Sequence, residues 1–127
     1  MSTQKKVLIA DDDEFLLDMY VMKFRSAGFE VEIAQNGQEA IEKAQKINPD
    51  AILLDVVMPK VDGFGVLRTL KKEKIAPSAS IFILSNLGQK EDTDRGLGLG
   101  AVDYIVKAHF TPSEVVARVQ AVLDKQK

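Results

Sequence analysis

Short apolar runs, each stopped by a polar residue, alternate along the chain with longer stretches in which apolar side chains recur every three or four positions. The first run, Val7 to Ala10, ends abruptly at Asp11, Asp12, Asp13 and Glu14 and reads as a buried parallel strand. From Asp13 to Ala27, Phe15, Leu16, Met19, Tyr20, Met22 and Phe24 include helical spacings, and Gly28 supplies a helix-ending residue that tolerates positive φ. Glu30 to Ala34 alternates polar and apolar residues, as a half-buried strand near a sheet edge does. Asn36, three residues before Glu39, predicts the start of a helix reaching about Lys46, with Ala40, Ile41 and Ala44 toward the core and Pro49 closing it.

Ala51 to Asp55 predicts the third strand, followed by the turn-rich Pro59 to Gly63 and a helix carrying Phe64, Val66, Leu67 and Leu70. Ala76 to Ser80 reads as a loop before a fourth strand, Ile81 to Leu84, that ends at Ser85. Gly88, Gly96, Gly98 and Gly100 surround the next helix, which is therefore expected to be short, Lys90 to Leu97, and comparatively mobile. Tyr104 to Val106 predicts the fifth strand, ending at Lys107. Thr111 to Glu114 reads as a capping box with Pro112 at the first helical position. It opens a last helix to about Asp124 that buries Val115, Val116, Val119 and Val122 or Leu123.

Five strand-then-helix units predict an α/β fold with a five-stranded parallel sheet and helices on both faces, because parallel strands need right-handed helical crossovers. The flavodoxin-like, doubly wound order 2-1-3-4-5 makes the first and third strands neighbours at the switch point, where such sheets place their ligands. Asp11, Asp12 and Asp55 then converge at one edge, and Ser85 and Lys107 arrive from the next two strands. No internal repeat or linker interrupts the pattern, so the expectation is one domain over residues 1–127, with its core at about 6–124 and no effector domain.

Composition narrows the chemistry. The chain has 127 residues, 46% of them hydrophobic, which suits one domain with a real core. It has no cysteine and one histidine, excluding disulfides, thiolate nucleophiles and cysteine- or histidine-rich metal sites. A net charge of −2 gives no basic footprint for direct nucleic-acid binding. No apolar run approaches the roughly 18 residues that span a bilayer, and MSTQKK leads only into VLIA, so a soluble, cytoplasmic protein without membrane insertion is expected.

Converging carboxylates repel one another by about 4 kcal/mol per pair at about 4 Å and an effective dielectric of about 20. A hard divalent cation offsets that repulsion, and an oxygen-only site with room for water suits Mg²⁺ better than Ca²⁺. Carboxylate-held Mg²⁺, a lysine ammonium and a hydroxyl together fit a transferring phosphoryl group, to which one aspartate can act as nucleophile.

Asp11-Asp12, the LLDVVMP run around Asp55, the Asp62-Gly63 turn, Ser85 after an apolar strand and DYIVK ending at Lys107 resemble the receiver domain of two-component response regulators, a likeness covering about Lys6 to Leu123. The resemblance implies that Asp55 is the phospho-acceptor, served by a histidine kinase, a histidine phosphotransfer protein or a small phosphodonor. It implies Mg²⁺ on Asp12, Asp55 and the backbone carbonyl of Val57, with Asp11 acting through water. Lys107 would pair with phosphoryl oxygens, Ser85 would hydrogen-bond another, and Tyr104 would swing inward. The face of the fourth helix, fifth strand and fifth helix would then signal to a downstream protein or a missing effector domain. Such a domain assists its own phosphorylation and dephosphorylation without being an enzyme in the ordinary sense.

Two departures from that pattern stand out. Receivers usually carry a cis-linked proline after the lysine, whereas here Ala108 follows Lys107, and the sequence leaves the isomer open. Val57 and Leu87, two residues beyond Asp55 and Ser85, are apolar at positions that in this family influence water attack on the acyl phosphate. The expectation is slow hydrolysis.

Blander readings sit beside these. Asp11 to Asp13 can cap the first helix, with Asp13 the expected cap; Tyr104 can be core, and His109 a surface loop residue. The enzyme alternative is a small haloacid-dehalogenase-like phosphohydrolase with Asp11 as nucleophile and Asp13 as acid/base. Against it, no acidic pair follows Lys107 and 127 residues leave no cap domain. A phosphorylation-independent interaction module is the third reading, disfavoured by the intact acidic set.

Overall fold

Strands β1 (Lys6–Ala10), β2 (Glu30–Ala34), β3 (Ala51–Leu54), β4 (Ser80–Ser85) and β5 (Asp103–Val106) form one parallel sheet in the order β2-β1-β3-β4-β5. The computed structural model describes residues 4–126. Helices α1 (Glu14–Ser26), α2 (Gly37–Ile47), α3 (Gly63–Lys72), α4 (Lys90–Gly98) and α5 (Pro112–Lys125) follow the strands in turn. This is the doubly wound order that the alternation predicts, and β2, with its alternating burial, is indeed an edge strand.

The two-residue period of each strand divides the core. Val7, Ile9, Leu53, Phe82, Leu84 and Ile105 join Leu17, Tyr20 and Phe24 of α1 and Val115, Val116 and Val119 of α5 on one face. Leu8, Ile52, Leu54 and Ile83 join Ala40 and Ala44 of α2 and Phe64, Val66 and Leu67 of α3 on the other. Because both faces are covered, the central strands read as unbroken apolar runs.

Asp13 caps α1, its side chain accepting from the Phe15 and Leu16 N–H groups, and Gly28 follows with φ +93°. Phe15, at 75% exposure, and Met22, at 65%, lie off the buried stripe of that helix. Asn36 caps α2 as expected, but the helix is closed by Asn48 in the left-handed region, φ 49°, one residue before Pro49. β3 ends at Leu54, with Asp55 just past it. α4 runs one residue beyond the expected Leu97, opens on an unforeseen Gln89–Asp92 capping box and buries only Gly96. Thr111 and Glu114 form the expected box on α5, whose stripe ends on the buried Leu123 while Val122 is only partly covered. No cis peptide occurs among the described residues, so Lys107–Ala108 is trans, at the start of a single 3-10 turn, Lys107–His109. His109 is exposed. No described helix is long and apolar enough to cross a membrane.

Candidate functional site

The C-terminal ends of β1 and β3 bring Asp11, Asp12 and Asp55 together, with one carboxylate oxygen from each lying within 4.8 Å of the others. The sheet places them there directly. The Asp11 N–H donates to the Ala34 carbonyl at 3.0 Å and the Asp55 N–H to that of Ala10 at 2.9 Å, so both continue the ladder one residue beyond their strands. Asp11 and Asp55 are buried and Asp12 is exposed. An exposed acid beside two buried ones leaves the cluster open on one side, as a cation that keeps part of its water requires, and its donors are all hard oxygens.

Lys107, its side chain 8% exposed, reaches in from the end of β5 and donates to Asp11 Oδ2 at 2.5 Å and to Asp55 Oδ2 at 3.1 Å. The second Asp11 oxygen accepts from the Asp13 N–H at 3.0 Å, so Asp11 is held on both sides. Burial raises the Asp55 pKa, and the Asp11 charge adds to it while Lys107 opposes. Burial alone would lower the Lys107 pKa, but hydrogen bonds and charge from Asp11 and Asp55 outweigh it and raise it. A buried carboxylate, an ammonium that pairs with it and a cluster of acids that could hold a cation thus share one edge.

A cavity of about 170 Å³ opens over this edge, lined by Asp55, Val57, Ser85, Asn86, Leu87 and Lys107. Ser85 is buried, with its Oγ accepting from the Leu87 N–H at 3.3 Å. Val57, 62% exposed, and Leu87, 38% exposed, make the mouth apolar. Tyr104 does not line the cavity but reaches its rim, donating from its hydroxyl to the Leu87 carbonyl at 2.5 Å. Its ring therefore already lies in a buried seat. Burial, then the charges of Asp92 and Asp55, push its phenol up to about 12.

α4 closes over that ring at Gly96, where a Cβ would fall 2.9 Å from Tyr104 Cδ2. The Arg95 guanidinium, 4.5 Å above the Phe64 ring, ties the same turn to α3. Gly96→Ala is expected to push Tyr104 out of its seat and return its phenol from about 12 toward the ordinary 10.0. NMR titration of Tyr104 checks this, and an unmoved phenol would show that the helix yields instead.

The sequence pattern thus locates Asp11, Asp12, Asp55, Val57, Ser85 and Lys107 in one place, with Tyr104 one hydrogen bond away. Asp13, the acid/base of the phosphohydrolase reading, is occupied as the α1 cap. Sequence reasoning misses Asn86, which lines the cavity without any motif to mark it. It also misses the role of Gly63, where a Cβ would fall 2.2 Å from the Asp55 carbonyl oxygen and whose N–H donates to Val56 at 2.8 Å. Asp62-Gly63 was visible as a turn; that Asp62 caps α3 through the Gly65 N–H, and that its glycine presses on Asp55, was not.

The family model for the response regulator receiver domain matches residues 7–120. The chain belongs to that family. The receiver is 40% identical to the alkaline phosphatase synthesis transcriptional regulatory protein PhoP of Bacillus subtilis over 119 residues, which are 94% of this chain and 48% of that protein. It is 41% identical to the probable transcriptional regulator ycf27 of Pyropia yezoensis, over 97% of this chain and 49% of that protein. The receiver therefore spans about half the length of the curated relatives it matches. Among solved structures, the receiver domain of the Francisella response regulator 1452 superposes with a TM-score of 0.90 at 34% identity, covering 98% of this chain and 100% of that one. A CheY-like receiver domain protein from Methanospirillum hungatei gives 0.89 at 27% identity, covering 98% and 97%.

Proposed function

We propose that Asp55 accepts a phosphoryl group in a phosphorelay, with Mg²⁺ held by Asp12, Asp55 and the backbone carbonyl of Val57 and Asp11 acting through water. The observation that carries this reading is the Lys107 ammonium poised between Asp11 and Asp55 where Lys107 and Asp55 line an open cavity. Mg²⁺, when bound, offsets the charge of the carboxylates and of the incoming phosphate.

An Asp55 oxygen attacks phosphorus in line, the new O–P bond forms as the bond to the donor breaks, and the donor leaves with the electron pair. Lys107 is already placed to exchange a carboxylate oxygen for a phosphoryl one. Ser85 presents a hydroxyl to the same cavity and donates to another phosphoryl oxygen. Since Ser85 Oγ accepts from Leu87 and Leu87 holds Tyr104, a pull on Ser85 acts on the Tyr104 seat and so on the face of α4, β5 and α5. The donor is a histidine kinase, a histidine phosphotransfer protein or a small phosphodonor. The reader of that face is a downstream protein or an effector domain, a reading supported by the transcriptional regulators above, of which this chain covers about half.

Acetyl phosphate with Mg²⁺ should add the mass of one phosphoryl group to the wild type and none to Asp55→Ala, read by intact mass, and should change association only in the former. Borohydride trapping should mark position 55. A mark on Asp11 would overturn the assignment in favour of phosphohydrolase chemistry.

A further inference from the structure

The loop joining β3 to α3 contains a strained turn that is gripped from outside. Lys60 holds φ +70°, a value few side chains adopt, and the Pro59 carbonyl accepts from the Val61 N–H at 2.8 Å. Together these close a three-residue γ-turn of the rarer hand. The same Pro59 carbonyl accepts from the Gly37 N–H at 3.3 Å, across from the first turn of α2. Gly37 is buried, and a Cβ there would fall 1.9 Å from the Val61 carbonyl oxygen and 2.7 Å from Val61 Cβ. Neither α2 nor the turn can keep its course around a side chain so placed.

At the other end, the loop is fixed by the Asp55 N–H on Ala10 and the Gly63 N–H on Val56. The stretch whose path those two bonds leave open runs from Val57 to Asp62, and Gly37 holds its middle. Val57 is the residue whose carbonyl the acceptor-site reading gives to the cation. Resting on that reading, we propose that Gly37 is a positioning residue for the cation site. The bare Cα of Gly37 lets α2 pack against Val61, and its N–H holds the Pro59–Val61 turn, so that the loop offers the Val57 carbonyl beside Asp12 and Asp55. A backbone ligand has no rotamer of its own, so its aim depends entirely on the chain around it.

Calorimetric titration of the unphosphorylated protein with Mg²⁺ tests this, together with thermal melting of each variant. Gly37→Ala is expected to weaken Mg²⁺ binding about tenfold or more, the range seen when the outer support of a metal ligand is lost. Gly98→Ala, the same change in a helix where a Cβ meets nothing within 4 Å, should leave it unchanged. A folded Gly37→Ala with wild-type affinity overturns the proposal. If Gly37→Ala does not fold, Val61→Gly takes its place, because it removes the Val61 side chain that packs beside the bare Cα, and so loosens α2 against the loop without adding volume; weakened binding supports the proposal and unchanged binding overturns it. A wild type that binds no Mg²⁺ would instead overturn the acceptor-site reading beneath it.

Discussion

Lys107→Met should leave the metal-free fold about 3–5 kcal/mol less stable at neutral pH and slow phosphoryl uptake by about a hundredfold or more. Methionine keeps most of the buried stem while removing the ammonium that serves both Asp11 and Asp55. Two buried carboxylates without a counter-charge are the costly half of a broken ion pair. The pH dependence follows from both raised pKa values. In the wild type, the Lys107 contribution is complete below its ordinary 10.5 and is lost as pH climbs through its raised folded value. Asp55 is raised above 3.8, so the fold favours its protonated form and loses stability as pH rises from there through the folded value. Removing Lys107 enlarges that second effect. The gap between wild type and variant should open on leaving acid pH, stay wide through neutrality and close in strong alkali. Mg²⁺ should narrow it at neutral pH by supplying the missing positive charge. Urea melts across pH, with and without Mg²⁺, check the pattern; equal stability at pH 7 without the ion would show that the ammonium does not offset the acids.

The second large effect concerns how long a phosphoryl group on Asp55, as proposed above, should last. Val57 and Leu87 flank the cavity with apolar, partly exposed side chains, so neither offers a donor or acceptor to orient water for attack on phosphorus. The Val57→Asn, Leu87→Glu double variant places an amide and a carboxylate at that mouth. Its phosphorylated form should hydrolyse faster by on the order of tenfold to a hundredfold, the scale on which positioned proton acceptors act. Both positions are on the surface, so the fold should hold. Loss of radiolabel from the purified phosphoprotein measures it. An unchanged half-life would mean that access, rather than orientation of water, controls the reaction. Asn86 lines the same cavity and is the next residue to change in that event.

Much of this receiver is legible as text because its signals are local. Strand runs, the Asn36 and Thr111 caps and the Gly28 stop each depend on residues a few positions apart. α1 shows where such reading fails. Its apolar residues outnumber its buried stripe, and only packing on β1 and α5 selects Leu17, Tyr20 and Phe24 while leaving Phe15 and Met22 in water. Pro49 was the expected stop for α2, but Asn48, one residue earlier, ends it in a left-handed backbone that its neighbours in sequence do not announce.

At the site, an acid, a serine and a lysine at the ends of successive apolar runs are enough to predict convergence. Parallel strands share a direction, so their C-terminal ends must share an edge. Contacts between segments distant along the chain carry no such mark. Nothing in the text near Gly37 says that its missing Cβ makes room for Val61, nor near Gly96 that Tyr104 lies against it. Those are exclusions of volume between separate elements, and they exist only once the sheet has brought the elements together. The identities of Asp55 and its partners were therefore written along the chain, whereas the seating of Tyr104 and the bracing of the loop that carries Val57 arose from close packing.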